Sequence, residues 1–373
     1  MEDQQILHYL KLYNAMLGKN SIRVFLLFVA SPFLIFGCSK TPKTELTSIH
    51  VPNKIDEPVL LSELAITDKK IKLETKDGVF LGNIVDVKLY KDRLFVSDKK
   101  RVSIFDLEGN FIQFLGEEGE GPGEYKLVTS MDIDSASGLI YISSYNKLLV
   151  FGADLGLVEE RKLGYPIGYL KVLDGDLWIV SEEIGIKVGN KTANQTNLYK
   201  LGNTFEISDT IPFRRVILDK IQIGGYWFRH WLSATGEGIF LFMPVLTPEN
   251  TLRDTLYQLS DGMIKPAIKF HFERAQSLNE QGYQTLLLYN VMNSSSYYIL
   301  EYAQDWEQFM FLYDKKNKIG YNLSKGLTDA DGDPVFLRPL DLDADLFYYT
   351  KKKAFSDPST EEENPEIGIV KLR

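Results

Sequence analysis

A strand–turn–strand unit recurs about six times along this chain, and the recurrence limits the fold more than any other feature. The clearest copy lies in residues 92–125, DRLFVSDKKRVSIFDLEGNFIQFLGEEGEGPGEY. Leu94-Phe95-Val96 is an apolar strand. Val102-Ser103-Ile104-Phe105-Asp106-Leu107 alternates apolar and polar residues, the period of a half-buried strand. Glu108-Gly109-Asn110 supplies the turn and Phe111-Ile112-Gln113-Phe114-Leu115 the return strand.

Segments like the first strand recur at Leu139-Ile140-Tyr141-Ile142, Leu177-Trp178-Ile179-Val180, Ile239-Phe240-Leu241-Phe242, Tyr297-Tyr298-Ile299-Leu300 and Leu346-Phe347-Tyr348-Tyr349. Segments like the second recur at residues 148–151, 198–201, 256–259, 311–313 and 367–372. A spacing of roughly 40–60 residues is that of propeller blades. The predicted fold is all-β, a six-bladed β-propeller over residues 59–373, in which every sheet is flanked by its neighbours. The last copy ends at Leu372 with no residues left for an outer strand, so residues 71–75 (Ile-Lys-Leu-Glu-Thr) are expected to close the last blade from the N-terminal side.

The N-terminus carries an address. Lys19 and Arg23 precede an apolar run, residues 24–36, interrupted by Pro32 and ending in Ile35-Phe36-Gly37-Cys38-Ser39. A basic segment followed by an apolar run of this length is a secretory signal, too short to span a membrane comfortably. The ending resembles a bacterial lipobox, which makes Cys38 the lipid-attachment residue and residues 1–38 the signal peptide. Met16 would give a signal of more usual length. Cys38 is the only cysteine, so neither an intramolecular disulfide nor a cysteine metal cluster is available. Residues 39–58, with Thr, Ser, Pro and Lys, are expected to be a flexible tether. Ser39 follows the cysteine in place of the Asp linked to inner-membrane retention. The expected location is therefore the outer membrane, facing the periplasm.

Residues 1–38 hold three basic and two acidic residues, leaving 39 basic against 49 acidic in the remainder. A protein that grips nucleic acid needs a clustered positive field, so this balance excludes that class. A monomer with no cofactor is expected.

Leu61-Ser62-Glu63, Lys72-Leu73-Glu74-Thr75, Phe105-Asp106-Leu107-Glu108-Gly109, the loop Gly119-Glu120-Gly121-Pro122-Gly123-Glu124-Tyr125, and Asp254-Thr255-Leu256-Tyr257 together resemble the Bacteroidetes six-bladed β-propeller lipoproteins, relatives in fold of NHL-repeat propellers. The resemblance runs from about Leu60 to Arg373. It implies a fold and an envelope location, with no activity attached.

Candidate sites are few. The segment from Gly224 to Trp231 sets Tyr226, Trp227 and Trp231 beside Arg229 and His230, and large rings next to hydrogen-bonding groups suit a sugar or peptide at the channel mouth. The same rings could instead pack between blades. Asp329, Asp331 and Asp333 have the alternation of a calcium loop, but Pro334 and Leu340 stand where the Gly and the Glu of an EF-hand belong. Residues 274–292 are expected to form a short helix. Two function classes remain. One is an envelope-anchored binding or scaffold module for a glycan, peptide or partner protein. The other is a propeller enzyme, a lyase or hydrolase, using His230 and rim carboxylates. The first needs only shape and a few polar groups, and the residues favour it.

Overall fold

The computed structural model describes residues 46–221, 229–243, 252–352 and 363–373. Six sheets of four or more strands follow one another along the chain, at residues 86–114, 130–162, 169–218, 232–272, 286–324 and 338–372. In every one, consecutive strands pair antiparallel in chain order. The first strands are Asp86–Tyr90, Ser130–Ile133, Tyr169–Leu173, Leu232–Thr235, Leu286–Asn293 and Arg338–Asp341. They lie innermost and meet between blades, blade 1 against blades 2 and 6, and blade 4 against blade 5. This is a six-bladed β-propeller.

The second and third strands of each blade are flanked on both faces by neighbouring blades and read as near-continuous apolar runs. Phe95, Val96, Val102, Ile104 and Phe105 of blade 1 are all buried. Outer strands face solvent on one side: Leu157–Lys162 is exposed or half-buried throughout.

The last blade is closed from the N-terminal side. The closing strand is Ala65–Lys72, which pairs antiparallel with Glu366–Leu372, so it begins six residues earlier than expected. Ile71 is buried there against Ile367, Phe105 and Tyr348, which ties blade 6 to blade 1.

The tether expectation is corrected for the residues nearest the propeller. Thr47–Val51 is a fifth strand of blade 4, parallel to Met263–Phe272. Ile49 and Val51 alternate with Ser48 and His50, and the two aliphatic side chains are buried against the sheet edge. The chain then crosses blade 5, where Asn322 Nδ2 donates to Pro52 O (2.7 Å) and Asn322 N–H to Asp56 Oδ2 (2.8 Å). Leu61 is buried among blade 5 and blade 6 residues before the closing strand begins.

The helix expected in residues 274–292 is also corrected. Leu286–Asn293 is the inner strand of blade 5. Leu286 and Leu288 point inward with period two, a strand spacing that a helical reading of Leu286-Leu287-Leu288 overlooks.

The glycine-rich loop between blades 1 and 2 is a folded clasp. Tyr125 is buried, donates to Leu115 O (2.5 Å) and accepts from Val102 N–H (3.2 Å). Gly116, at φ +69°, lies so close to the Tyr125 and Phe151 rings that a side chain there would collide with both. The clasp delivers the chain to residues 127–131 at the channel mouth.

Candidate functional site

The inner strands of blades 1 to 3 place charges at alternating positions on the channel wall. Lys88 Nζ lies 3.2 Å from Asp86 Oδ1 and 3.7 Å from Asp132 Oδ1. Lys171 Nζ lies 3.1 Å from Asp132 Oδ1, and Val172 N–H donates to Asp132 Oδ2 (2.8 Å). Two ammonium groups thus face two carboxylates, and the group is neutral as a whole. Burial pushes the Asp86 carboxyl up, with Lys88 opposing. Burial works against the charge of Lys88, yet Asp86 and Asp132 together hold it above the ordinary lysine value. On the inner strand of blade 6, which meets that of blade 1, Arg338 forms a close ion pair with the buried Glu301. With Asp132 and Glu301 buried and their partners half-buried and paired, these charges set the geometry of the wall and leave little free charge for chemistry.

His230 belongs to the same wall. Its Nε2 is 2.9 Å from Ser233 Oγ and its Nδ1 3.4 Å from Tyr169 OH. Ser233 Oγ also accepts Asn293 N–H (3.2 Å), so the bonds run from blade 3 through blade 4 to blade 5. Burial pulls the imidazole pKa well below its ordinary value, and Lys171, Lys88 and Arg338 add to the effect. Its hydrogen-bond partners are the Tyr169 and Ser233 hydroxyls, and neither is a carboxylate. A general base needs access to substrate, and at 3% exposure the His230 ring offers little.

One cavity opens where the chain enters the inner strands. It measures about 210 Å³, and Asp86, Lys99, Thr129, Ser130, Tyr169 and Arg229 contribute to its lining. Lys99 sits in the turn between the second and third strands of blade 1 with φ +73°, a left-handed conformation that disfavours side chains. Val128 N–H donates to its carbonyl (2.6 Å) and holds the turn. Arg229 Nη1 donates to Gly168 O (3.3 Å), and its guanidinium lies 5.4 Å from the Trp231 ring centre. Among the described residues neither Lys99 nor Arg229 has a carboxylate at ion-pair distance. Blade 3 walls this face. Its second strand, Asp176–Val188, and third, Lys191–Leu201, run 13 and 11 residues, against 5 each in blade 1. The excess is roughly 20 Å of ribbon. Glu182 stands on that ribbon, its carboxyl pushed up by burial and drawn back by Arg229.

The structure separates the sequence-expected ligand contacts. Arg229 lines the cavity. His230 and Trp231 are corrected as contacts: both are turned into the interior, at 3% and 2% exposure. Trp231 packs against Tyr169, with ring centres 5.9 Å apart, and against Gly168. Tyr226 and Trp227 lie outside the described residues, as does Cys38. Asp329, Asp331 and Asp333 do cluster, around lysine: Lys351 Nζ is 2.8, 2.8 and 2.5 Å from their carboxylates, and Lys70 Nζ is 2.7 Å from Asp331. Among the described residues no group of three or more His, Cys, Asp or Glu is placed to hold a metal ion. Sequence reasoning missed Asp86, Lys88, Asp132 and Lys171. Their signal was a short stretch with charge in it, DVKLY, SMDI or YLKVL, ahead of each aromatic strand.

A family model described as Domain of unknown function (DUF4934) matches residues 46–371. The chain belongs to this family. The matched span of the DUF4934 protein begins at the fifth strand of blade 4 and ends within the closing sheet. None of the curated proteins matches it. Among solved structures it is similar to a candidate exported protein from Bacteroides fragilis, at 20% identity and TM-score 0.63, over 88% of this chain and 100% of that one. It is also similar to a gluconolactonase from Xanthomonas campestris, at 12% identity and TM-score 0.46, over 87% and 97% of the two chains. The first of these likenesses shows a shared fold.

Proposed function

We propose that this DUF4934 protein is an exported, envelope-anchored propeller that works as a binding or scaffold module. Its partner is a glycan, a peptide or an envelope protein, received at the channel mouth. The observation that carries the reading is the mouth cavity, where Lys99 and Arg229 stand free of ion pairs among the described residues beside Asp86 and Tyr169. At about 210 Å³ it is smaller than the 300–1,000 Å³ of pockets that enclose a whole small ligand. It suits the tip of a larger partner, one sugar or one side chain, with the blade 3 ribbon guiding the rest. The buried imidazole of His230 supports binding over catalysis. Export through the 24–36 apolar run and lipidation at Cys38, with the propeller in the periplasm at the outer membrane, complete the proposal.

The test is retention from detergent-solubilised envelope extract on immobilised full-length protein, in parallel with Arg229→Glu and Lys99→Glu variants. Species retained by the unaltered protein are expected to be lost from both. Equal retention on all three overturns the mouth as the binding site. For the anchor, Cys38→Ser is expected to move the protein from the membrane fraction to the soluble one, and unchanged membrane association refutes it.

A further inference from the structure

Blade 5 carries a second feature on the same side of the propeller as the mouth. Trp306 lies in the turn between the second and third strands of its blade, as Lys99 does in blade 1. Tyr283 lies in the segment that leads into the inner strand. Both rings are in water, at 74% and 59% exposure. Their centres are 5.9 Å apart and their planes stand at 75°. Among the described residues this is the only contact between two exposed Phe, Tyr or Trp rings.

The backbone under Trp306 makes its presence unusual. Asp305 and Trp306 have φ +50° and +70°, the two left-handed positions of a tight hairpin turn. Such turns favour Asn-Gly, because a bulky side chain is strained there. A strained, solvent-exposed tryptophan contributes nothing to the core, and strain of this kind gathers at functional sites. The turn is also held firmly. Arg274 Nη2 is 2.7 Å from Asp305 Oδ2, and Asp305 N–H donates to Thr285 O (2.9 Å). Tyr283 N–H donates to Asn279 Oδ1 (2.9 Å), which fixes the other loop. The two rings form a preorganised right-angled corner with a charged pair at its edge.

We propose that this corner binds a neutral pyranose within a glycan chain. One face of the sugar, where its C–H bonds gather, lies on the electron-rich face of the Trp306 indole. Tyr283 forms the side wall, and the Arg274–Asp305 pair supplies donors and acceptors for ring hydroxyls. Other occupants fit less well. Glu280, Asp305 and Glu307 neighbour the two rings in sequence, against Arg274 and against Lys325, whose N–H donates to Gln308 O, so the local charge balance offers an anionic membrane or an acidic ligand no net attraction. Two side chains are far less than a stable protein interface needs. The inference does not depend on the mouth cavity.

The test is affinity electrophoresis of the full-length protein through native gels cast with dextran, laminarin, xylan, mannan or hydroxyethyl-cellulose. Retardation is expected with at least one. Trp306→Gly is expected to weaken that interaction by at least about tenfold while leaving the melting temperature unchanged or raised, because glycine accepts the left-handed turn. Tryptophan fluorescence gives a second readout. Of the four tryptophans Trp178 and Trp231 are buried and Trp227 lies outside the described residues, so it is a sugar-induced change that vanishes in Trp306→Gly that reports on the corner. No retardation in any gel, or equal retardation of the folded Trp306→Gly variant, overturns the proposal. Binding of phosphatidylglycerol vesicles through Trp306 in place of any glycan also overturns it, and would make the corner a membrane contact.

Discussion

Ring closure by Ala65–Lys72 can be tested at one side chain. Ile71 is 2% exposed and packs in the seam between blades 6 and 1, whereas Ile66 on the same strand is 60% exposed. Replacing Ile71 with Ala removes three carbons from the seam. At about 0.8 kcal/mol per buried methylene the transfer loss is about 2.4 kcal/mol. Seam neighbours such as Ile367, Phe105 and Val87 are themselves fully buried and tightly placed, so the hole closes only in part and adds up to about 2 kcal/mol more. The expected total is about 2.5–4.5 kcal/mol, a large share of the 5–15 kcal/mol that holds a typical domain folded. Ile66→Ala, made on the solvent side of the same strand, should stay within about 0.5 kcal/mol. Urea unfolding followed by fluorescence reads both changes as shifts of the midpoint. If the two variants unfold together, the seam is not where the ring closes, and the reasoning fails. Truncation is a blunter form of the same experiment. Removing everything up to Asp68 takes away Ala65–Asp68, half of the closing strand, together with the buried Ile49, Val51 and Leu61, so it is expected to unfold the domain without needing to reach Thr75.

Trp231→Ala should cost about 3–5 kcal/mol in the same assay, the cost of emptying a buried aromatic site; an unchanged midpoint would mean that the ring is not in the interior. His230 gives a pH signature. Its folded pKa lies well below the ordinary value of about 6.5, so below that pH the unfolded chain takes up a proton that the folded one refuses. Its contribution to stability is therefore complete above about pH 6.5 and falls as the pH drops below it, by at most about 1.4 kcal/mol per unit. Lys171, Lys88 and Arg338 face the ring and work in the same direction. His230→Gln should flatten that part of the profile, and an unaltered slope would show that the imidazole is not buried.

The middle strands of the blades were legible because they are shielded on both faces, so the chain must write them as unbroken runs such as Leu-Phe-Val or Tyr-Tyr-Ile-Leu. The inner strands were not, for the opposite reason. One of their sides faces the channel, and Asp86, Lys88, Asp132 and Lys171 break the apolar pattern while satisfying one another across blades that are far apart in sequence. Thr47–Val51 was hidden because two buried aliphatics in five residues carry too little pattern, and Pro and Lys flank them. Arg229 could be singled out by its type and by its aromatic neighbours. Whether Trp231 met a ligand or a core depended on which way one strand entry turned, and only the packing against Gly168 and Tyr169 decides that. Lys99 and Trp306 share a positive φ, a property of the backbone that no residue pattern announced.

The path of residues 46–72 over the rims of blades 4, 5 and 6 has a mechanical consequence. A force drawn through Leu46 does not arrive first at the strand that closes the ring. It meets in series the five residue pairs between Thr47–Val51 and blade 4, then the Asn322 hydrogen bonds on blade 5, then the buried Leu61. Only after these have yielded does tension reach Ala65–Lys72. The strap can detach in stages while blade 6 stays shut, so the rim acts as a fuse that gives way before the ring does.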